Sequence, residues 1–175
     1  MGKKEKEMIE KAYKQGFEGE RNYRGCAQCA IAGIQDALNI KNDLVYKAGS
    51  GLAGGAGECI DGLCGGYSGG IMMMSTFFGR TRDEEATTKG REDKYVSFGM
   101  ATELHDIFIK KYGSVICKDI QKRSLGGPLT LGMTKKKSFL GKQGLMKMMI
   151  NVVQLLVMGQ AGPQRSFLRK LEKEA

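Results

Sequence analysis

The stretch GECIDGLCGGYSGG, residues 57–70, constrains the fold of this chain more than any other segment. Gly62, Gly66 and Gly70 stand four apart, and Gly65 and Gly69 form the neighbouring row. On a helix these rows make a strip without Cβ atoms, along which another backbone can approach closely. Each glycine costs up to about 1 kcal/mol of helix propensity relative to alanine. Tolerating that cost implies close packing there. The occupant is either a crossing helix or a ligand, and Gly65, Gly66 and Gly69 are the residues that would line a cofactor surface. Homo-oligomerisation is left open by the sequence.

The rest of the chain reads as helix. Met8, Ile9, Ala12, Tyr13 and Phe17 recur at helical spacing, and so do Cys26, Ala30, Ile34 and Leu38 after Asn22. Leu44 to Ala48 predicts a short third helix running into the Gly49–Gly57 loop. Leu63 to Phe78 has helical periodicity despite its glycines. Arg82 to Lys94 is polar, either helix or exposed loop. Phe98, Ala101, Leu104, His105, Phe108 and Tyr112 mark a long amphipathic helix ended by Gly113. A last short helix follows Ser114. No run alternates as a strand does, so the expected class is all-α: a compact helical bundle with a glycine-rich loop and a glycine-rich central helix.

At 175 residues, 41% hydrophobic and 27% charged, the chain falls among soluble globular proteins. Its charged start is no export signal, and the longest apolar run, Gly144 to Gly159, is broken by Lys147 and too short for a bilayer. A cytoplasmic protein without a membrane span is expected. In such a reducing setting five cysteines point to redox chemistry or metal binding rather than to staples.

Three of the cysteines share a setting. Asn22, Asp61 and Ser114 are natural N-caps, and each has a cysteine shortly after it: Cys26, Cys64 and Cys117. A helix start offers unpaired N–H groups and roughly half a positive charge. A thiol placed there can lose its proton below the free value of about 8.5, and the thiolate is the form that attacks disulfides, meets oxidants and binds soft metals. Cys26 and Cys29 form a C-x-x-C pair. With Cys59 and Cys64 they make four thiols, a count that suits zinc or an iron–sulfur cluster. GSGLAG (49–54) has dinucleotide-motif spacing, but no strand precedes it and no acidic residue follows at the right distance. His105 and Met72 to Met74 read as packing residues.

Four pieces, GCAQCAIAG (25–33), KAGSGLAGGAGE (47–58), CGGYSG (64–69) and YGSVIC (112–117), together resemble a family of small proteins to which redox activity is ascribed, named for a C-G-A-x-x-G motif and four cysteines. The resemblance covers roughly residues 5–121, with glycine for the motif's alanine at position 66. It implies a helical, cytoplasmic, prokaryotic protein with thiol redox chemistry. Cys26, Cys64 and Cys117 match the first three family cysteines, Cys29 and Cys59 are additional, and the fourth has no counterpart.

The net charge of +9 lies wholly in the tail. Residues 1–121 carry 17 basic and 17 acidic side chains, and residues 122–175 carry 11 and 2. Read one base earlier, the codons of Met146–Val152 give an acidic stretch followed by a permitted cysteine, and Gly159–Leu171 can spell an ordinary amphipathic helix. The tail is therefore expected to be a frameshifted translation that packs poorly. Its lysines then lose their weight as phosphate contacts, and nucleic acid is not the expected partner.

The functional expectation is thiol–disulfide chemistry at Cys26, Cys64 and Cys117. Cys64 would be the nucleophile and Cys26 or Cys117 the resolving thiol, with an unidentified redox partner or a small oxidant and no required cofactor. The alternative is a zinc or iron–sulfur module on Cys26, Cys29, Cys59 and Cys64.

Overall fold

The computed structural model describes residues 3–125. Six α-helices occupy this part: α1 (Lys3–Asn22), α2 (Cys26–Leu38), α3 (Asp43–Ala48), α4 (Gly65–Phe78), α5 (Thr88–Tyr112) and α6 (Cys117–Leu125), with one 3₁₀ turn at Ser50–Leu52 between α3 and α4. Among the described residues there is no strand, only an isolated bridge between Leu63 and Ile116. The class is all-α. No described helix is long and apolar enough to cross a membrane.

Helix α2 is the centre of the bundle, packed against α1 on one side and α4 on the other, while α5 covers α4. Glycine makes both α2 crossings close. A Cβ on Gly33 would stand 2.7 Å from the Ala12 carbonyl oxygen of α1, and one on Gly69 would stand 2.6 Å from the Ala27 carbonyl oxygen of α2. The apolar faces meet in one core that includes Ile31, Ile34, Met73, Met74, Leu104, Phe108 and Ile120. Met72 packs against it, so the methionine run is packing.

The helix ends differ from the expected ones in instructive ways. Asn22 closes α1 rather than capping α2; the residue ahead of α2 is Gly25, at φ 90°. Asp61 lies in the loop, and Cys64 itself is the residue ahead of α4. The Ser114 hydroxyl accepts the Ile116 N–H at 3.0 Å and donates to Asp119 at 2.8 Å. Arg82–Lys94 divides into turns and the start of α5, where the Thr87 hydroxyl accepts the Gly90 N–H at 2.9 Å. Gly113, at φ 71°, ends α5 as expected.

Candidate functional site: three thiols under a glycine loop

Between the 3₁₀ turn and α4 the backbone runs left-handed, with positive φ at Gly54, Gly55, Ala56, Gly57, Glu58 and Ile60. Glycine adopts this conformation freely, whereas L-residues adopt it at a cost. The loop is tied internally by Gly57 N–H to Gly51 O (2.8 Å) and Ile60 N–H to Gly54 O (2.9 Å). It is tied to the segment around α6 by Lys118 N–H to Ile60 O (2.8 Å), Cys117 N–H to Gly62 O (2.9 Å) and Cys64 N–H to Val115 O (2.8 Å). These bonds draw sequence-distant helix starts together.

Three sulfurs lie beneath. Cys26 is the first residue of α2, and its Sγ accepts the Gly54 N–H at 3.4 Å. Cys64 stands at the mouth of α4, where the Gly66 and Tyr67 N–H groups favour charge on its sulfur without closing a capping hydrogen bond. Cys117 opens α6; its Sγ accepts from Gln121 Nε2 at 3.1 Å, and its Cβ lies against Gly55. Cys26 is 8% exposed, Cys64 0% and Cys117 3%. Tyr67, Phe108 and Tyr112, in the same core cluster as Cys26 and Cys64, meet in series at tilted angles, with ring centroids 4.9 and 5.5 Å apart.

Electrostatically the three form one group. Burial pushes the Cys64 thiol far up, and negative charge on Cys26 and on Cys117 raises it further. Burial, then charge on Cys26, pushes Cys117 up to about 11, against a smaller lowering by Gln121. Charge on Cys64 likewise adds to the effect of burial in raising the Tyr112 phenol. For Cys64 and Cys117 this corrects the sequence expectation of helix starts that keep the thiols ready to ionise. The N–H groups are present, but removing a thiolate from water outweighs them.

The other candidates lie apart. Cys29 donates to the Arg24 carbonyl at 3.3 Å and packs with Ala30 against Tyr13 and Phe17, in a small apolar cluster of its own. Three residues along a helix is about 60° short of a full turn, enough to aim Cys29 at α1 while Cys26 meets the loop. Cys59 is exposed and donates to Gly57 O at 3.7 Å. The set Cys26, Cys29, Cys59 and Cys64 is therefore not gathered, and among the described residues no three His, Cys, Asp or Glu side chains are grouped to hold a metal ion.

The glycine strip likewise faces protein rather than an open cofactor surface. A Cβ on Gly65 would collide with Cys26 Sγ and come within 2.9 Å of Ala27 N, and Gly69 meets the same turn of α2. The third member, Gly66, is buried with its amide serving Cys64. Two site residues escaped the sequence reading, Gly54 and Gln121. The second had a usable signal, since it stands four residues after Cys117 on one helix face.

Fold and thiols together define a small all-α protein in which Cys26, Cys64 and Cys117 are each buried. The chain belongs to the family described as "Putative redox-active protein (C_GCAxxG_C_C)", which it matches over residues 25–153. That span starts and ends later than the motif resemblance, and no cysteine follows Cys117 within it. Comparison with curated proteins and with solved structures gave no match.

Proposed function

We propose that the protein cycles between a dithiol and a disulfide formed within the three-thiol centre, with Cys26 as the sulfur that reacts first. The observation that carries this reading is the meeting of Cys26, Cys64 and Cys117 from three separate helix starts beneath one loop. Packing alone does not need sulfur at all three places. Cys26 is the least enclosed of the three, and the Gly54 N–H pointed at its sulfur favours the anion. Cys64 was the expected nucleophile, but its full burial disfavours the thiolate that would start the reaction.

A peroxide is a sufficient oxidant. The Cys26 thiolate attacks the O–O bond, an S–O bond forms, and the expelled hydroxide takes up the thiol proton as water. A neighbouring thiol then attacks the Cys26 sulfur, forming S–S and breaking S–O, and a second water leaves. Two thiols and one hydrogen peroxide thus give one disulfide and two waters, and an external dithiol reverses the change. Because burial holds Cys64 and Cys117 protonated near neutral pH, the resting centre reacts through one sulfur rather than three.

The test is mass mapping of disulfides after treatment of the folded protein with equimolar peroxide. The expected product is a disulfide containing Cys26, absent in Cys26→Ser. Five unmodified thiols after treatment would end the proposal.

A further inference from the structure

Two consecutive glycines of the left-handed loop rest on cysteines from two different helices. The Gly54 N–H donates to the Cys26 sulfur of α2 at 3.4 Å, and a Cβ on Gly55 would stand 3.0 Å from the Cys117 Cβ of α6. The same added atom would stand 3.0 Å from Ile60 Cα, and a Cβ on Gly62 would collide with Gly55 O. The loop is thus folded closely on itself and seated on two thiols. It holds this shape at a cost, because Ala56, Glu58 and Ile60 are left-handed, at φ 64°, 60° and 61°, without glycine's freedom. The β-branched Ile60 is the least suited of the three. Backbone strained in this way persists only while its surroundings hold it.

We propose that the loop 53–62 is a redox-sensitive strap, closed over the reduced thiols and loosened when Cys26 enters a disulfide. This rests on the redox reading above. The reduced Cys26 sulfur accepts the Gly54 N–H, weakly as a thiol and strongly as a thiolate. A disulfide sulfur carries no such charge, and the specific geometry of the bond, rather than the loop, sets where the Cys26 side chain points. With Cys117 as the partner, the contact beneath Gly55 changes as well. The strain at Ala56, Glu58 and Ile60 then favours release. Release serves the return of electrons to sulfurs that are buried in the closed state. One thiolate of an external dithiol attacks a protein sulfur, the S–S bond breaks, and a mixed disulfide forms. The second thiol of that dithiol breaks the mixed bond in turn. The protein regains two thiols, which take up the two protons of the dithiol, and the dithiol leaves as a disulfide.

The experiment follows amide hydrogen exchange by mass spectrometry in Cys59→Ser, so that no oxidation falls on the loop itself. The reduced chain is compared with the chain treated with equimolar hydrogen peroxide, and peptide masses establish that the Cys26 disulfide is present. Exchange across residues 53–63 should speed about tenfold on oxidation, the scale of a lost hydrogen bond to a charged group. Exchange in α1 should stay as it was. Cys26→Ser in the same background is the control: its hydroxyl still accepts the Gly54 N–H, and peroxide should leave its loop unchanged. Dithiothreitol should reduce the disulfide in the folded chain without denaturant.

Loop exchange that is equal or slower in the disulfide form overturns the strap, and so does a disulfide that resists dithiothreitol until the chain unfolds. Circular dichroism reports whether the variants fold. Should they not, the wild-type chain alkylated at the exposed Cys59 before oxidation gives the same comparison without a substitution. Absence of any Cys26 disulfide in the wild type is a separate result: it removes the redox reading itself, and the trigger of the strap with it.

Discussion

Gly65 has no side chain because the Cys26 sulfur occupies the place where one would go, with Ala27 N and Leu52 O closing the remaining sides at 2.9 and 3.1 Å. The contact joins the first turn of α4 to the first turn of α2. It makes the geometry of the thiol centre and the packing of the bundle a single problem. Stability and sulfur chemistry are therefore expected to respond together to changes at this crossing.

Gly65→Ala should destabilise the protein by about 1–3 kcal/mol, the usual penalty for overpacking a dense core. Gly99→Ala is the matched control: Gly99 is exposed within α5 with nothing inside 4 Å of an added Cβ. It should stabilise by about 0.5–1 kcal/mol through helix propensity alone. Urea unfolding of both variants checks the pair. Equal effects would mean that the α2–α4 crossing is looser than described.

Raised thiol pKa values carry a stability consequence with a definite sign. Cys117 ionises near 9 when unfolded and only at about 11 when folded. Between these values the native state holds a proton that the unfolded chain has lost, so stability falls as pH rises. The contribution is intact below about pH 9, and by pH 11 about 2–3 kcal/mol is lost on account of Cys117. Cys64 adds to the loss in the same direction. Unfolding free energies at pH 7 and pH 10.5 should show the decline, and Cys117→Ser should flatten it.

Alkylation of the native protein should proceed in tiers. Cys59, exposed on the loop, is expected to react first and completely. Cys26 should follow slowly, while Cys64 and Cys117 react only as the structure opens. Peptide masses sampled over time report the order. Early labelling of Cys64 would show that the loop does not cover it.

Thr87→Ala removes the hydroxyl that accepts the Gly90 N–H at the start of α5. A loss of about 1 kcal/mol is expected, the usual value of an N-cap. Disulfide formation at Cys26 should be unchanged, because the cap lies in a turn remote in sequence from the thiol segments.

The helical class and the neighbourhood of each helix start were legible because apolar spacing and glycine stops are local signals. The caps were harder. Asp61 and Ser114 have the right chemistry, yet Asp61 sits in a loop folded for other reasons and the Ser114 hydroxyl is drawn to Ile116 N and Asp119. Burial was the larger miss. A helix start can be recognised from residue types, but the burial of Cys64 comes from the assembled core, which also holds Tyr67, Phe108 and Tyr112, and two of these come from a helix far along the chain. The strip of Gly65 and Gly69 had two readings, and only the position of Ala27 separates them.

The reading-frame expectation concerns residues beyond Gln121. Lys122 to Leu125 continue α6, and 126–175 lie outside the described residues. Its test is the coding DNA: an open frame one base upstream that encodes a cysteine supports it, and stop codons there dismiss it.

The left-handed loop has a consequence for how the molecule is made. Cys26, Cys64 and Cys117 become neighbours only after the chain has closed around Gly54 and Gly55, so a half-made copy offers its sulfurs no preferred mate. Premature oxidation would sew arbitrary partners together, so the proposed chemistry requires assembly first and electron loss second.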